Sequence, residues 1–298
     1  MKQKINIWER VYSSWEEAPD DDVHEGEVWI NKVTDRAQEA LAAYRSNETV
    51  SLAALTQDYI LSVAGGMLLS SIKGDLCVLD FGGGMGASYF PLISSIPNPE
   101  KVEFHIVEGK TICERSREIL GEFTKLHFHK QLPQLAKPVH IVHAGSSIQY
   151  VSNWKGLLAE FINYRPHLLI LEDLMAGDIP SFITTQNYYG KKIRIWFLNI
   201  NGLIEEVQTL GYQLIYKSRY THKILGVAGP LPMENFSPRY RLNYGPTSCL
   251  NRWSLRSVTR HTIHALNVNK KLSKKVQLVE DDLFVTNRKF LAQGIKKV

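Results

Sequence analysis

The chain has 298 residues, of which 44% are hydrophobic and 22% charged, and its formal net charge is +5. These values exclude a wholly disordered chain, a collagen and a coiled coil, and the length allows one large domain or two small ones. No apolar run reaches the ~18 residues that a membrane span requires. Residues 251–298 carry eleven Lys and Arg against three acids, whereas residues 1–250 carry 24 against 27. The basicity therefore belongs to the C-terminal end, and we do not expect a nucleic-acid partner.

Three cysteines, Cys77, Cys113 and Cys249, are too few and too scattered for a disulfide framework, and no C-x-x-C pair is present. The N-terminus has no apolar run after its lysines, so it does not indicate a secretory signal. We therefore expect a reduced, cytoplasmic protein with no integral membrane segment.

Apolar periodicity and turn residues predict helices and strands in alternation. The predicted helices cover residues 38–44, 52–72, 87–95, 111–123, 152–163 and 201–210. The predicted strands cover residues 76–80, 102–107, 125–129, 139–143, 167–171 and 212–216, with a possible seventh at 249–253. Such alternation indicates βαβ units and a parallel sheet, hence an α/β fold.

The chain divides into three expected regions. Residues 1–72 predict a helical N-terminal cap, residues 73–253 the α/β domain, and residues 254–298 a basic C-terminal extension. Residues 221–246 hold four prolines and no clear element, which is typical of a lid or an insertion.

The most informative segment is a glycine turn between a strand and a helix, with the sequence VLDFGGGMGA from Val78 to Ala87. Glycines let the backbone approach a ligand closely, and the N-terminus of the next helix favours an anion. The spacing is compatible with a dinucleotide fingerprint. The same letters, with Asp80 ahead of three alternate glycines, resemble motif I of class I S-adenosylmethionine (SAM)-dependent methyltransferases.

The acid before the turn favours SAM over a dinucleotide. Asp80 suits the cationic amino group of SAM and would repel a pyrophosphate. Glu108 ends the second strand, where an acid can accept both ribose hydroxyls of either cofactor. We expect the cofactor site to be formed by these two acids, the glycines and two serines after the fourth strand: Asp80, Gly82, Gly83, Gly84, Gly86, Glu108, Ser146 and Ser147.

Further segments resemble one group of bacterial SAM-dependent methyltransferases often linked to surface-polysaccharide gene clusters. They are WERVYSSWEEA at residues 8–18, SSIQY at 146–150, Gln186-x-x-Tyr189 and WFLN at 196–199. The resemblance covers roughly residues 5–253. It implies a Rossmann-like, seven-stranded class I methyltransferase sheet, whose last strand is antiparallel and inserted beside the sixth. It implies SAM as cofactor more firmly than any acceptor.

Ligands of open α/β sheets bind outside the carboxyl ends of the strands, so residues there are the catalytic candidates. Methyl transfer from SAM requires positioning of the acceptor and sometimes a general base. His143, Asp173 and His222 are the candidates for that base. Each also has a structural alternative, because a histidine can hydrogen-bond within the sheet or lie on a surface loop, and an acid can cap a turn.

Polar and aromatic residues in the family-like segments are candidates for acceptor binding: Tyr12, Trp15, Tyr150, Gln186 and Tyr189. We expect methyl transfer to an oxygen or nitrogen of a small or saccharide acceptor. An NAD(P)-dependent oxidoreductase and a non-catalytic SAM-fold binding protein are the alternatives. No metal is expected, because the pairs His127-x-His129 and His140-x-x-His143 lack a third ligand at useful spacing.

Overall fold

The structure is a computed structural model that describes residues 7–48, 59–188, 190–220 and 258–267. Its helices are α1 (Glu27–Arg45), α2 (Ile60–Leu69), α3 (Tyr89–Ser95), α4 (Lys110–Leu120), α5 (Trp154–Asn163) and α6 (Ile200–Thr209). Its strands are β1 (Leu76–Phe81), β2 (Val102–Val107), β3 (Leu126–His129), β4 (Ile141–Gly145), β5 (Leu168–Gly177), β6 (Phe182–Tyr188), β7 (Lys191–Asn199), β8 (Tyr212–Tyr220) and β9 (Val258–Asn267).

Seven of these strands form the sheet expected for a class I methyltransferase. β3, β2, β1, β4 and β5 lie side by side in that order and are parallel. β9 runs antiparallel along β5, and β8 pairs antiparallel with β9. The order is therefore β3-β2-β1-β4-β5-β9-β8, in which β9 alone among these seven is reversed. The predicted Rossmann-like fold with an antiparallel last strand is confirmed.

Both faces of the parallel strands are buried, which explains their continuous apolar sequences. Successive side chains of one strand point to opposite faces of the sheet. Val78 lies in the core with α2 and α3, whereas Leu79 lies in the core with α5 and α6. The connection from β3 to β4, residues 130–140, contains no helix. On the α5–α6 face of the sheet, no helix from this connection covers β2 and β3.

The predicted strand positions agree with β1 to β5 and β8, although β5 and β8 are several residues longer than expected. The predicted seventh strand at 249–253 lies outside the described residues. The antiparallel strand is instead β9, which falls within the range that we assigned to the C-terminal extension. Residues 221–246, expected to form a lid or an insertion, also lie outside the described residues.

The sequence did not predict the hairpin formed by β6 and β7. The two strands are antiparallel, and β7 pairs with the end of β5 at Ala176 and Gly177. Because β9 occupies the other edge of β5, the hairpin joins β5 on the side of β4, just past the point where β4 ends. It therefore stands at the carboxyl ends of the parallel strands.

The N-terminal residues add a further backbone segment to this hairpin. The Tyr12 N–H donates to the Ile183 carbonyl at 2.9 Å, and the Asn187 N–H donates to the Ile7 carbonyl at 2.7 Å. Trp8 is buried and meets Phe197 edge to face, with ring centroids 4.9 Å apart. Residues 7–12 therefore run along β6, whereas residues 15–17 form a turn and the Asp21 N–H donates to the Lys192 carbonyl of β7. We expected the N-terminal cap to be helical; its described helices are α1, α2 and a short 3-10 turn at Val23–Glu25.

Among the described residues, no helix is both long and apolar enough to cross a membrane.

Candidate functional site

The glycine turn connects β1 to α3 in a conformation that depends on its glycines. Gly82, Gly84 and Gly86 have positive φ angles of 71°, 59° and 84°. Side chains rarely adopt such angles, and at Gly82 a Cβ would also lie only 2.5 Å from the Cβ of Ser147. The turn therefore lies directly against the residues that follow β4, which places the predicted Ser147 beside the predicted glycines.

Glu108, which follows β2, is hydrogen-bonded to this turn. Its Oε1 accepts the Gly84 N–H at 3.0 Å, and its Oε2 accepts the Gly109 N–H at 2.9 Å. Burial raises the pKa of Glu108; the two N–H donors partly oppose this shift, and nearby Asp80 and Glu25 add to it. Each carboxylate oxygen has a second lone pair, so Glu108 retains acceptor capacity for hydroxyl donors.

Asp80 lies beneath the turn and is fully buried. Its Oδ1 contacts the His143 Nδ1 at 2.6 Å, and a Cβ on Gly83 would collide with its Oδ2. Within the described residues, Oδ2 has no hydrogen-bond partner. Asp80 therefore lies directly beneath the glycine backbone, and its role in cofactor binding stays a prediction.

His143, in β4, bridges two buried acids that lie in β1 and β5. Its Nε2 lies 3.2 Å from the Oε2 of Glu172, and the side chains of all three residues are at most 3% exposed. Desolvation lowers the pKa of His143, but the charges and hydrogen bonds of Asp80 and Glu172 outweigh it and raise this pKa to about 10. His143 is therefore an imidazolium at pH 7, and it has no proton-accepting nitrogen to offer an acceptor.

The backbone is strained at two of the predicted site residues, one just after β4 and one within β5. Ser146 and Asp173 have φ angles of 54° and 51°, a left-handed conformation that few non-glycine residues adopt. Gln149 links them, since its Nε2 lies 3.1 Å from the Asp173 carbonyl and 3.4 Å from the Ser146 Oγ. Gln149 belongs to the site although we did not select it from the sequence.

The structure brings two of the predicted acceptor residues together. The Tyr150 hydroxyl lies 3.1 Å from the Gln186 Oε1. Tyr12 and Trp15 pack elsewhere: the Tyr12 hydroxyl meets Thr185, which lies on the opposite face of β6 from Gln186, and Trp15 stacks on Trp196. The remaining predicted residues, Tyr189 and His222, lie outside the described residues.

An aromatic group around Tyr150 was not anticipated from the sequence. His24 meets Tyr150 and Trp29 edge to face, with ring centroids 5.1 and 5.6 Å away, and Trp29 meets Tyr188. Burial lowers the pKa of His24, and Asp20, Asp22 and Glu25 only partly offset this. Since His24 and Trp29 lie more than 100 positions before Tyr150 and Tyr188, no local spacing could have grouped the four residues.

The α1 region also covers the glycine turn. The Glu25 Oε2 accepts the Thr111 hydroxyl at 2.8 Å, close to Gly109, and Val33 lies beside Gly84. The residues that precede and begin α1 thus connect the turn to the His24 group. This arrangement places the candidate cofactor residues and the candidate acceptor residues under one N-terminal cover.

Comparisons with known proteins found only distant similarity to solved structures. No family model matches the chain, and the search of curated proteins found no match. Among solved structures, a chain of the Haloferax volcanii complex that contains the Trm112 methyltransferase activator aligns with a TM-score of 0.48 and 10% identity, covering 81% of this chain and 95% of that one.

Two further solved structures give similar values. The CcbJ methyltransferase from Streptomyces caelestis aligns at 11% identity and a TM-score of 0.44, covering 78% of this chain and 98% of its own. The Burkholderia thailandensis 1,6-didemethyltoxoflavin-N1-methyltransferase aligns at 12% identity and a TM-score of 0.42, and the alignment covers 85% of this chain and 93% of that one. At such values the resemblance shows nothing about the activity of this chain.

The charge on His143 has a measurable consequence for stability. Because its folded pKa of about 10 exceeds the ordinary 6.5, its stabilisation is fully present below pH 6.5 and is lost as the pH rises through about 10. His143→Gln leaves two buried acids without a cation and should lower the free energy of unfolding at pH 7 by ~3–5 kcal/mol. Urea unfolding at several pH values measures both effects.

The matched control is His167→Gln, which removes a histidine from the same sheet that is stacked on His140. If His143→Gln does not fold, NMR of the imidazole nitrogens in the unaltered protein replaces it, with a protonated His143 expected at pH 8. A neutral His143 ring at pH 8 would contradict the assignment.

Proposed function

We propose that the protein is a SAM-dependent methyltransferase. The observation that carries this proposal is the meeting of Asp80, the glycine turn and Glu108 at the carboxyl ends of a sheet in which β9 runs antiparallel beside β5. A dinucleotide-binding Rossmann sheet is parallel at the corresponding position, and its pyrophosphate avoids a neighbouring acid. Both features therefore favour SAM over NAD.

The charge of the site fits the cationic end of SAM. The group beneath the glycine turn contains two carboxyl groups, those of Asp80 and Glu172, and one imidazole, that of His143. A carboxylate under the glycine turn attracts an ammonium group and repels a phosphate, and burial reduces the screening of this interaction. SAM, when bound, supplies a methyl group activated by its sulfonium.

Other residues fit the remaining parts of the cofactor. Glu108 has lone pairs left for two ribose hydroxyls. The Ser147 Oγ and the Gln149 Oε1 are buried without a hydrogen-bond partner in the part of the chain that the structure describes. Such unsatisfied polar atoms are rare in native proteins, so their position next to the turn supports a polar ligand there.

We further propose an oxygen or nitrogen of a small or saccharide molecule as the methyl acceptor. The support is the hydrogen-bonded pair of Tyr150 and Gln186 beside the rings of His24, Trp29 and Tyr188. Flat aromatic surfaces suit a sugar ring, and amide and phenol groups can orient its hydroxyls. A role in surface-polysaccharide synthesis, and a cytoplasmic location, belong to this proposal.

The general base, where the acceptor needs one, is best supplied by His24. Its lowered pKa leaves the ring neutral at pH 7, in contrast to the charged His143. His143 then becomes a positioning residue that holds Asp80 and Glu172 in place. Asp173, buried at the irregular part of β5, and His222, outside the described residues, remain candidates from the sequence.

Glu108→Ala tests the cofactor assignment without disturbing the buried His143. Loss of two charge-assisted acceptor sites for ribose hydroxyls should weaken SAM binding by ~10–100-fold. Equilibrium dialysis with labelled SAM measures the change. Glu114→Ala, an exposed acid on α4, is the control and should leave the Kd unchanged. Equal affinities of the two variants would contradict the role of Glu108.

His24→Asn tests the catalytic part. Formation of S-adenosylhomocysteine is followed with a panel of hydroxylated and amino acceptors, including nucleotide sugars. The variant should lose ~10²–10⁴-fold in kcat on the accepted compound, because the neutral imidazole is gone, while its Kd for SAM stays the same. His167→Gln is the control. SAM binding with no turnover on any acceptor would favour the non-catalytic alternative.

A further inference from the structure

A cluster of histidines and one acid lies on the α5–α6 face of the sheet, away from the candidate cofactor site. Glu103 and His105 come from β2, and His127 and His129 come from the neighbouring β3, with His105 and His127 in register. Glu103 lies five residues before Glu108, which is ~16 Å along the strand. The missing helix between β3 and β4 leaves this part of the face partly open.

We propose that Glu103, His105 and His127 bind one divalent transition-metal ion, and that Zn²⁺ is its natural occupant. The Glu103 Oε1 lies 3.6 Å from the His105 Nε2 and 3.7 Å from the His127 Nε2. All three atoms lie within 4.8 Å of one another. Two ligands of a tetrahedral zinc ion stand ~3.4 Å apart, so the distances need little change. The rings of His105 and His127 are stacked with their centroids 4.7 Å apart, and both must tilt for their lone pairs to point at one ion.

The chemistry of the three groups also suits zinc. Imidazole nitrogens and a carboxylate oxygen are common zinc ligands, and a site with three protein ligands leaves a fourth position for water. Burial and the neighbouring His127 and His129 lower the pKa of His105 to about 4, so its ring is neutral and offers a lone pair at pH 7. The hydrogen bond from Lys137 lowers the pKa of Glu103, which is therefore ionised.

The surrounding contacts orient these ligands. The Glu103 Oε2 accepts the Lys137 ammonium at 2.6 Å, which leaves Oε1 facing the histidines. The His105 Nδ1 lies 3.0 Å from the His129 Nε2, and a proton on that Nδ1 leaves the Nε2 lone pair free for a metal. Metal-binding histidines in proteins are commonly fixed in this way by a hydrogen bond to the other ring nitrogen.

An ion can reach the site from solvent, because the His127 side chain is 37% exposed, whereas those of Glu103 and His105 are 18% and 7% exposed. A bound ion would fasten the edge strand β3 to β2. Nothing in this arrangement involves the glycine turn, so the metal site is independent of the proposed methyltransferase function.

The test uses the full-length protein freed of metal. Calorimetric titration with Zn²⁺ should show one ion per chain, and Co²⁺ should give the visible absorption of a tetrahedral complex. His127→Ala and Glu103→Gln should each weaken binding by at least ~100-fold, since losing a direct ligand costs more than losing a surrounding contact. Zinc at a hundredfold excess over Kd should raise Tm by ~5–10 °C.

The control is His167→Ala, which alters the other stacked histidine pair, His140 and His167, and should retain full binding. Circular dichroism checks that each variant is folded, which we expect for the exposed His127. Absence of saturable binding to the unaltered protein would overturn the proposal, and so would equal affinity of His127→Ala and His167→Ala.

Discussion

Two buried acids on either side of one histidine constrain the centre of this molecule. Asp80 lies near the end of β1 and Glu172 lies within β5, and between them β4 supplies His143 at 2.6 and 3.2 Å. Removing the cation from such a group leaves uncompensated buried charge, which costs several kcal/mol. The same group fixes the ends of three strands, and the glycine turn lies directly above Asp80. The group holds two acids and one histidine, and this excess of acids underlies the proposed preference for a cationic ligand.

The hairpin and the N-terminal segment, which lie outside the seven-stranded sheet, pack at that same edge. The hairpin of β6 and β7 continues the sheet beyond β4, and residues 7–12 pair with β6. Glu25 and Val33 lie against the glycine turn and its neighbour Gly109, while His24 lies against Tyr150. The N-terminal region thus contacts both parts of the proposed site.

Much of the fold was predictable because buried parallel strands have continuous apolar sequences and the turn has an unusual density of glycine. The hairpin was missed because β6 contains the polar residues Thr184, Thr185 and Gln186, which are buried only through contacts with the N-terminal segment and Tyr150. The acids Asp80 and Glu108 follow from position in the motif. The charge of His143 does not, because it depends on two acids 63 and 29 residues away that only the folded sheet brings together.

The most direct measurement of the central claim is calorimetric titration of the purified protein with SAM, S-adenosylhomocysteine and NAD. A site with the acid Asp80 beneath the glycine turn and Glu108 at its side should bind both sulfur compounds and reject NAD, because these acids repel its pyrophosphate. Binding of NAD, with no heat from SAM or S-adenosylhomocysteine, would contradict the account.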